Sequence, residues 1–163
     1  MRVLGIDPGT IKTGVGIVDS EFGIFKTPFF KVLQPRKREP IEKRLAFIYD
    51  EMKVIIETHQ PDEIAVEDPF VSNNPKTALA IGQAQAVILI LAAQKNIPIA
   101  RYAPTSIKKS VTDYGNSSKE QVLEMVKVIL CDISIIGPDD ISDALAVAIC
   151  HHNSILVNRL LGE

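Results

Sequence analysis

The chain has 163 residues, a formal net charge of −2 and 46% hydrophobic residues. This length is typical of one ordinary domain, and the apolar content is enough to close a core without disulfides or a structural metal. The net charge excludes a uniformly basic nucleic-acid-binding protein. However, residues 31–44 contain six Lys or Arg against two Glu, and residues 101–127 contain five against three acids. Such segments fit either solvated surface or the basic flanks of an acidic site.

No targeting or membrane-spanning segment is expected from the sequence. Met1 leads directly into an apolar strand, and the most apolar run, residues 86–93, is too short to cross a bilayer. Cys131 and Cys150 lie far apart without a metal-binding spacing. This usage predicts two reduced core thiols in a cytoplasmic protein.

Apolar periodicity predicts an initial antiparallel meander, followed by alternating helices and strands. The predicted strands are residues 2–6, 13–19, 24–33, 63–67 and 97–102. The predicted helices are residues 41–59 and 75–95, and three more that begin at Pro104, at a Ser117 or Ser118 cap, and at Pro138-Asp139-Asp140.

This order predicts one α/β domain over residues 1–163. Its mixed five-stranded sheet has three antiparallel and two parallel strands and carries helices on both faces. The two later strands follow helical crossovers, so they should run parallel to the first. If the fourth strand pairs with the first, the chain reverses its winding direction between them, and ligands bind at such a point, beyond the carboxyl ends of the strands.

Acidic residues occur where this topology would bring remote parts of the chain together. Asp7 ends the first strand and Glu67 ends the fourth, while Asp140 and Asp143 share one face in the first turn of the last helix. Such carboxylates would repel one another unless a divalent cation bound them. Oxygen ligands favour Mg²⁺ or Mn²⁺, so the pattern predicts a metal-dependent phosphodiesterase with two ions.

Each of these acids also has an ordinary structural explanation. Asp-Pro-Gly is common turn chemistry, Glu67 could simply meet solvent, and Asp140 could be a helix cap. Spacing alone does not separate Asp140 from Asp139, and periodicity alone does not separate Glu67 from Asp68.

Five segments, taken in order, resemble one known family. They are GIDPGTIKTGVGIV, AVEDPF, NPKTALAIGQAQAV, APTSIKKSVTDYGNSSKEQV and DDISDALAVAICHH. From Arg2 to about His152, the chain resembles the RuvC Holliday-junction resolvases of the ribonuclease H-like superfamily. The resemblance implies a homodimeric endodeoxyribonuclease that cuts two strands of a four-way DNA junction symmetrically, uses Mg²⁺ and leaves 5′ phosphates. It also implies cooperation with the RuvA–RuvB branch-migration complex.

The resemblance further implies roles for particular residues. The implied metal-binding tetrad is Asp7, Glu67, Asp140 and Asp143. Phe70 matches an aromatic residue that stacks on a junction base. The alternative is core packing, which its position just past a strand end disfavours. Lys108 and Lys119 match basic positions that support DNA contact and catalysis, and Lys109 is added to the predicted DNA contacts. The alternative is that these lysines are ordinary surface residues.

The sequence departs from the family pattern in two places. Val15 stands where Tyr is common, and Asp113 stands where Gly is common. The three histidines, His59, His151 and His152, are expected at the surface or at helix ends and not as metal ligands.

Three other functions remain open, and so does the dimer interface. The strand–Asp–Gly–Thr turn also begins ATPases of the actin and sugar-kinase type, although these generally need two such domains. A related nuclease could act on structured RNA, and a junction-binding protein could have an inactive site. The apolar helix at residues 77–93 could form the dimer interface or belong to the core.

Overall fold

The structure is a computed structural model that describes residues 1–68, 75–132, 135 and 139–162. The strands are β1 (Arg2–Asp7), β2 (Thr13–Glu21), β3 (Ile24–Leu33), β4 (Glu63–Glu67) and β5 (Ile99–Tyr102). The helices are α1 (Ile41–His59), α2 (Pro75–Lys95), α3 (Pro104–Thr112), α4 (Lys119–Leu130) and α5 (Asp139–Leu161). The predicted order of elements is confirmed, with β5 beginning two residues later than expected.

The five strands form one mixed sheet in the order β3-β2-β1-β4-β5. The first three strands pair antiparallel, whereas β4 pairs parallel to both β1 and β5. The predicted sheet is therefore confirmed, including the position of β4 beside β1. In that pair Ile6 lies opposite Val66, so the next residues, Asp7 and Glu67, end neighbouring strands at the same edge.

Alternating side chains of the strands supply two apolar cores, one on each face of the sheet. Leu4 and Ile6 of β1 contribute to a core with α1 and α2. Val3 contributes to the opposite core, which α3, α4 and α5 complete. The prediction of helices on both faces is therefore confirmed.

Helix α5 lies unusually close to β1 and β2 because glycines face it. A Cβ atom added to Gly5 would lie 2.1 Å from the carbonyl oxygen of Ala144, and one added to Gly14 would lie 1.8 Å from that of Asp140. At Gly16 an added Cβ would lie 2.5 Å from the side chain of Leu145. The absence of side chains at these positions lets the first turn of α5 reach the strand ends.

Two histidines fix the middle of α5 to the sheet. His151 and His152 are both buried, which makes the expectation of surface or helix-end positions wrong. His151 lies 2.7 Å from the Tyr102 hydroxyl and 2.8 Å from a carboxylate oxygen of Glu63. Nε2 of His152 lies 2.9 Å from the carbonyl oxygen of Val18. Burial lowers the pKa of His152, so this ring is a neutral donor to that carbonyl.

The two cysteines are in different environments. Both are free thiols, as predicted, but only Cys150 is buried; Cys131 is exposed at the end of α4. Cys131 has φ 50°, and its backbone N–H caps the carbonyls that end the helix. The expectation of two core thiols is therefore wrong for Cys131, because α4 ends at the surface there.

The segment between α3 and α4 is fixed by local hydrogen bonds. The Ser118 side chain accepts from the Gln121 backbone N–H, and the Gln121 side-chain oxygen accepts from the Ser118 backbone N–H. Of the two candidates, Ser118 is therefore the cap. Asp113 ends α3 with φ 65°, a left-handed conformation that suits Gly and that Asp tolerates. The departure at Asp113 therefore keeps the loop geometry that leads to Lys119.

Helices α2 and α5 are each long and apolar enough to cross a membrane by length and composition. The expectation based on residues 86–93 alone missed this, because the apolar part of α2 is longer than that run. Core helices of soluble proteins pass the same test. Helix α5 packs on the sheet, and α2 buries Ile88 and Leu91 in the other core while exposing Leu79 and Ile90.

Replacing Gly14 with Ala tests the close packing of α5. The added methyl group would overlap the Asp140 backbone, so the helix must move or the strand must bend. We expect the free energy of unfolding to fall by about 2 kcal/mol or more, measured by urea denaturation.

Gly82→Ala is the matched control, because Gly82 lies in α2 with nothing within 4 Å of an added Cβ. There the change should stabilise the protein by roughly 0.5–1 kcal/mol through the better helix propensity of Ala. Equal effects at the two glycines would contradict the packing argument.

Candidate active site

Two strand ends and one helix start converge at the carboxyl edge of the sheet. Asp7 and Glu67 end β1 and β4, which are parallel neighbours. The first turn of α5 carries Asp140 and reaches this edge over Gly14. One turn further on, Asp143 lies on the same side of the helix.

Asp7, Glu67 and Asp143 line one pocket of about 310 Å³, which we call the acidic pocket. Its other walls come from α3, α4 and the small residue Ala146 of α5. They are Pro104, Ile107, Lys108, Lys119, Val122 and Ala146. Three of the four predicted acids and two of the predicted lysines therefore share one concave surface.

Lys119 is the closest cation to these acids. Its ammonium group donates to Asp143 at 3.0 Å and lies 3.8 Å from Asp139. Burial alone would lower the pKa of Lys119, but the hydrogen bond to Asp143 and the surrounding acids outweigh it and raise that pKa. Lys119 is therefore a permanent positive charge at the rim of the pocket.

The carboxylates raise one another's pKa values. Burial raises the pKa of Asp7 to about 8, and the charges of Glu67, Asp143 and Asp140 act in the same direction. Burial and the charge of Asp143 raise the pKa of Glu67 to about 6. The pKa of Asp143 is also raised, mainly by burial and despite its bond to Lys119. Without a cation, the pocket therefore favours the protonated form of Asp7 at neutral pH.

Geometry distinguishes the acids that spacing left open. Asp68 turns towards α2, where its carboxylate accepts from the Gln85 side chain at 3.1 Å, while Glu67 faces the acidic pocket. Asp139 has a side chain that is 61% exposed, whereas that of Asp140 is 24% exposed. These positions favour Glu67 over Asp68, and Asp140 over Asp139, as members of the acidic site, as the resemblance implied.

The donor set of the site fits a hard divalent cation. Its acids are oxygen donors only. Burial, and then repulsion from the neighbouring acids, raises the pKa of Asp7, and a bound cation would stabilise its charged form. In the described parts of the chain, no three acidic, histidine or cysteine side chains stand close enough to hold one ion together. The ammonium groups of Lys119 and Lys12 contact Asp143 and Asp140 instead. Metal binding would therefore require these acids to turn from the lysines.

A second cleft, of about 570 Å³, also begins at Asp7 and was not predicted from the sequence. Asp140 lines this cleft and not the acidic pocket. Lys12 lies 3.7 Å from Asp140, and Arg44 donates to the Thr10 carbonyl at 3.3 Å. The position of Lys12 inside the turn GTIKTG, two residues from the Gly9-Thr10 backbone, is the sequence signal that could have indicated it.

The structure does not place the other two predicted DNA contacts in the acidic pocket, and it describes only one of them. Lys109 is exposed on α3 and is not among the residues that line the acidic pocket, unlike its neighbour Lys108. Phe70 lies outside the described residues. Both remain predictions.

The fold and the acidic pocket define the class of the protein. A mixed sheet in this order, with acids at the ends of β1 and β4 and at the start of the last helix, is that of a ribonuclease H-like nuclease.

The chain belongs to the RuvC family. The family model for crossover junction endodeoxyribonuclease RuvC matches residues 3–151. Crossover junction endodeoxyribonuclease RuvC of Dehalococcoides mccartyi is 47% identical over 163 residues, covering 100% of this chain and 98% of the relative.

Solved structures agree with this assignment. Thermus thermophilus RuvC in complex with a Holliday junction substrate superimposes with a TM-score of 0.91 at 28% identity, covering 97% of this chain and 96% of that one. The yeast mitochondrial Holliday junction resolvase Ydc2 shares the fold, with a TM-score of 0.67 at 14% identity over 98% of this chain and 83% of that one. Family membership decides against the ATPase and RNA-nuclease alternatives.

Replacing Asp7 with Asn should stabilise the metal-free protein at pH 8. The folded state binds the Asp7 proton more tightly than the unfolded state, in which Asp has its ordinary pKa of 3.8. The Asp7 contribution to the free energy of unfolding therefore falls as pH rises from about 4 to about 8. Asn removes this loss, so we expect a gain of about 2–5 kcal/mol at pH 8 and a smaller gain at pH 5. Urea denaturation in EDTA at each pH measures the two free energies of unfolding.

Asp50→Asn on the exposed surface of α1 is the control, and it should change stability by less than about 0.5 kcal/mol. A gain at Asp7 that does not grow between pH 5 and pH 8 would show that the raised pKa of Asp7 is not its cause.

Proposed function

We propose that this chain resolves four-way DNA junctions by metal-dependent hydrolysis of two opposed phosphodiester bonds. The observation that carries the proposal is the shared pocket of Asp7, Glu67 and Asp143, where burial and repulsion raise the pKa of Asp7 to about 8. Acids with shifted pKa values in a cleft are typical of functional sites. Membership of the RuvC family supports a DNA junction as the substrate of this one.

Asp7, Glu67, Asp140 and Asp143 would hold the cation, which we propose is Mg²⁺, with Mn²⁺ as a substitute and two ions per site. When bound, the ions would supply water activation and neutralise charge at the leaving oxygen. The chain's own part is to orient the phosphate. Lys108 and Lys119 line the same pocket, so their ammonium groups can stabilise the charge that develops on the phosphate oxygens. Cleavage at the 3′ oxygen leaves 5′ phosphates.

The proposal also includes the assembly in which the chain works. Residues 1–163 act as one nuclease domain, and two copies place two pockets against two strands of like polarity. The exposed apolar residues Leu79 and Ile90 make α2 a candidate for the dimer interface. Phe70 and Lys109 are further contacts to the junction. We place the enzyme in the cytoplasm, with the RuvA–RuvB complex as its partner.

Cleavage of a mobile four-way junction tests the function directly. With Mg²⁺, the wild-type protein should produce paired nicks at symmetric positions with 5′ phosphates. Asp7→Asn should bind the junction but cleave at least about 100-fold more slowly, because one ligand of the cation is lost. Denaturing gels and gel-shift assays measure the two properties.

Asp50→Asn, which makes the same change at an exposed site, should cleave like the wild type. Wild-type binding without nicks in both Mg²⁺ and Mn²⁺ would favour the alternative of an inactive junction-binding protein. Comparable cleavage by Asp7→Asn would remove Asp7 from the site.

A further inference from the structure

Asp7 is the residue, among those described, at which the acidic pocket and the second cleft meet. The acidic pocket is walled by α3, α4 and α5, on one face of the sheet. The second cleft is walled by residues 8–12, by Arg44 of α1, by the start of α2 and by Asp140 of α5. A DNA strand whose phosphate lies at Asp7 therefore has two possible continuations, and the second cleft is the larger of the two.

The second cleft is lined by both cationic and apolar side chains, with Asp7 and Asp140 at its acidic end. Lys12, Arg44 and Lys76 are the cationic residues of its lining, while Ile11, Ala80 and Ile81 supply apolar surface. A nucleotide presents the same two chemistries, because its phosphate is an anion and its sugar and base have apolar faces. The lining therefore suits a nucleotide better than it suits a free ion.

Arg44 contributes charge that the chain does not cancel. Within residues 1–68 and the other described ranges, no carboxylate lies within ion-pair distance of its guanidinium. Its one hydrogen bond there goes to the Thr10 carbonyl, and its buried Nε atom has no partner. Arg44 thus fixes the turn after Asp7 and leaves a positive potential beside the cleft.

Lys12 is positioned to contact a ligand of this cleft. The Thr13 hydroxyl donates to the Gly9 carbonyl at 2.6 Å, which closes the turn that carries Lys12. The Lys12 ammonium is 3.7 Å from Asp140, and its side chain is 40% exposed. Asp140 is partly buried, but 3.7 Å is near the limit of an ion pair and the ammonium is the more exposed partner. The pair therefore contributes little stability, and the ammonium can turn to a phosphate at small cost.

We propose that the second cleft holds the deoxynucleotide adjoining the scissile phosphate, and that Lys12 contacts the phosphate of that nucleotide. The inference rests on the proposed junction-cleaving function. It extends the DNA path from Lys108 and Lys119, across Asp7, to Lys12 on the far side.

Junction binding in EDTA tests the inference without cleavage. Lys12→Gln should bind a four-way junction about 3- to 10-fold more weakly at low salt, and should lower the slope of log affinity against log salt by about 1. Lys53→Gln is the matched control: it removes the same charge from an exposed position on α1 outside both clefts, and should change affinity less than 2-fold. Equal melting temperatures of the three proteins would show that Lys12→Gln folds normally.

Single uncharged methylphosphonates on either side of the cut locate the contact. At one flanking position the substitution should weaken the wild type but weaken Lys12→Gln no further, since the partner charge is already gone. Lys53→Gln should lose affinity there like the wild type. Effects that add at every flanking position, or Lys12→Gln binding like Lys53→Gln, would overturn the inference.

The two failures are distinguishable. Wild type that binds junction and plain duplex equally would remove the proposed function, and this inference with it. If the wild type prefers the junction but Lys12→Gln binds as tightly as Lys53→Gln, the inference about the second cleft is overturned and the proposed function is not.

Discussion

The close approach of α5 to the glycines of β1 and β2 is the constraint on which the site depends. Gly14 lets the carbonyl of Asp140 lie where any side chain would stand, and Gly5 does the same for Ala144. This packing brings the acids of α5 to the ends of β1 and β4, into a half-buried position where like charges repel. Apolar packing elsewhere in the two cores holds that unfavourable arrangement together.

The sheet and the acidic residues could be predicted because their signals are local. Apolar periodicity and turn residues gave the element order, and parallel crossovers placed Asp7 beside Glu67. Local signals could not show which remote residues each side chain contacts. For example, the hydrogen bond from Gln85, seventeen positions away, turns Asp68 from the site that Glu67 faces. Periodicity in the sequence does not carry that information.

The wrong expectations have the same physical origin. From the sequence, His151 and His152 are polar residues of a helix and are expected to be exposed. In the structure their ring nitrogens have hydrogen-bond partners on the sheet, which allow them to be buried. The contact between Lys12 and Asp140 depends on how the turn after Asp7 faces α5, and the sequence offers only the position of Lys12 in that turn. Burial of a polar group is decided by partners, and partners come from the tertiary structure.

The charge balance of the site links cation binding to substrate binding. Lys119 and Lys12 each lie beside an acid of α5, one in each of the two clefts that meet at Asp7. A cation held by Asp140 and Asp143 would compete with both ammonium groups for the same carboxylates. Released from the acids, the two lysines would face the anionic strand on either side of the proposed scissile phosphate. Cation and DNA would then favour each other's binding, because each removes charge that the other would otherwise meet.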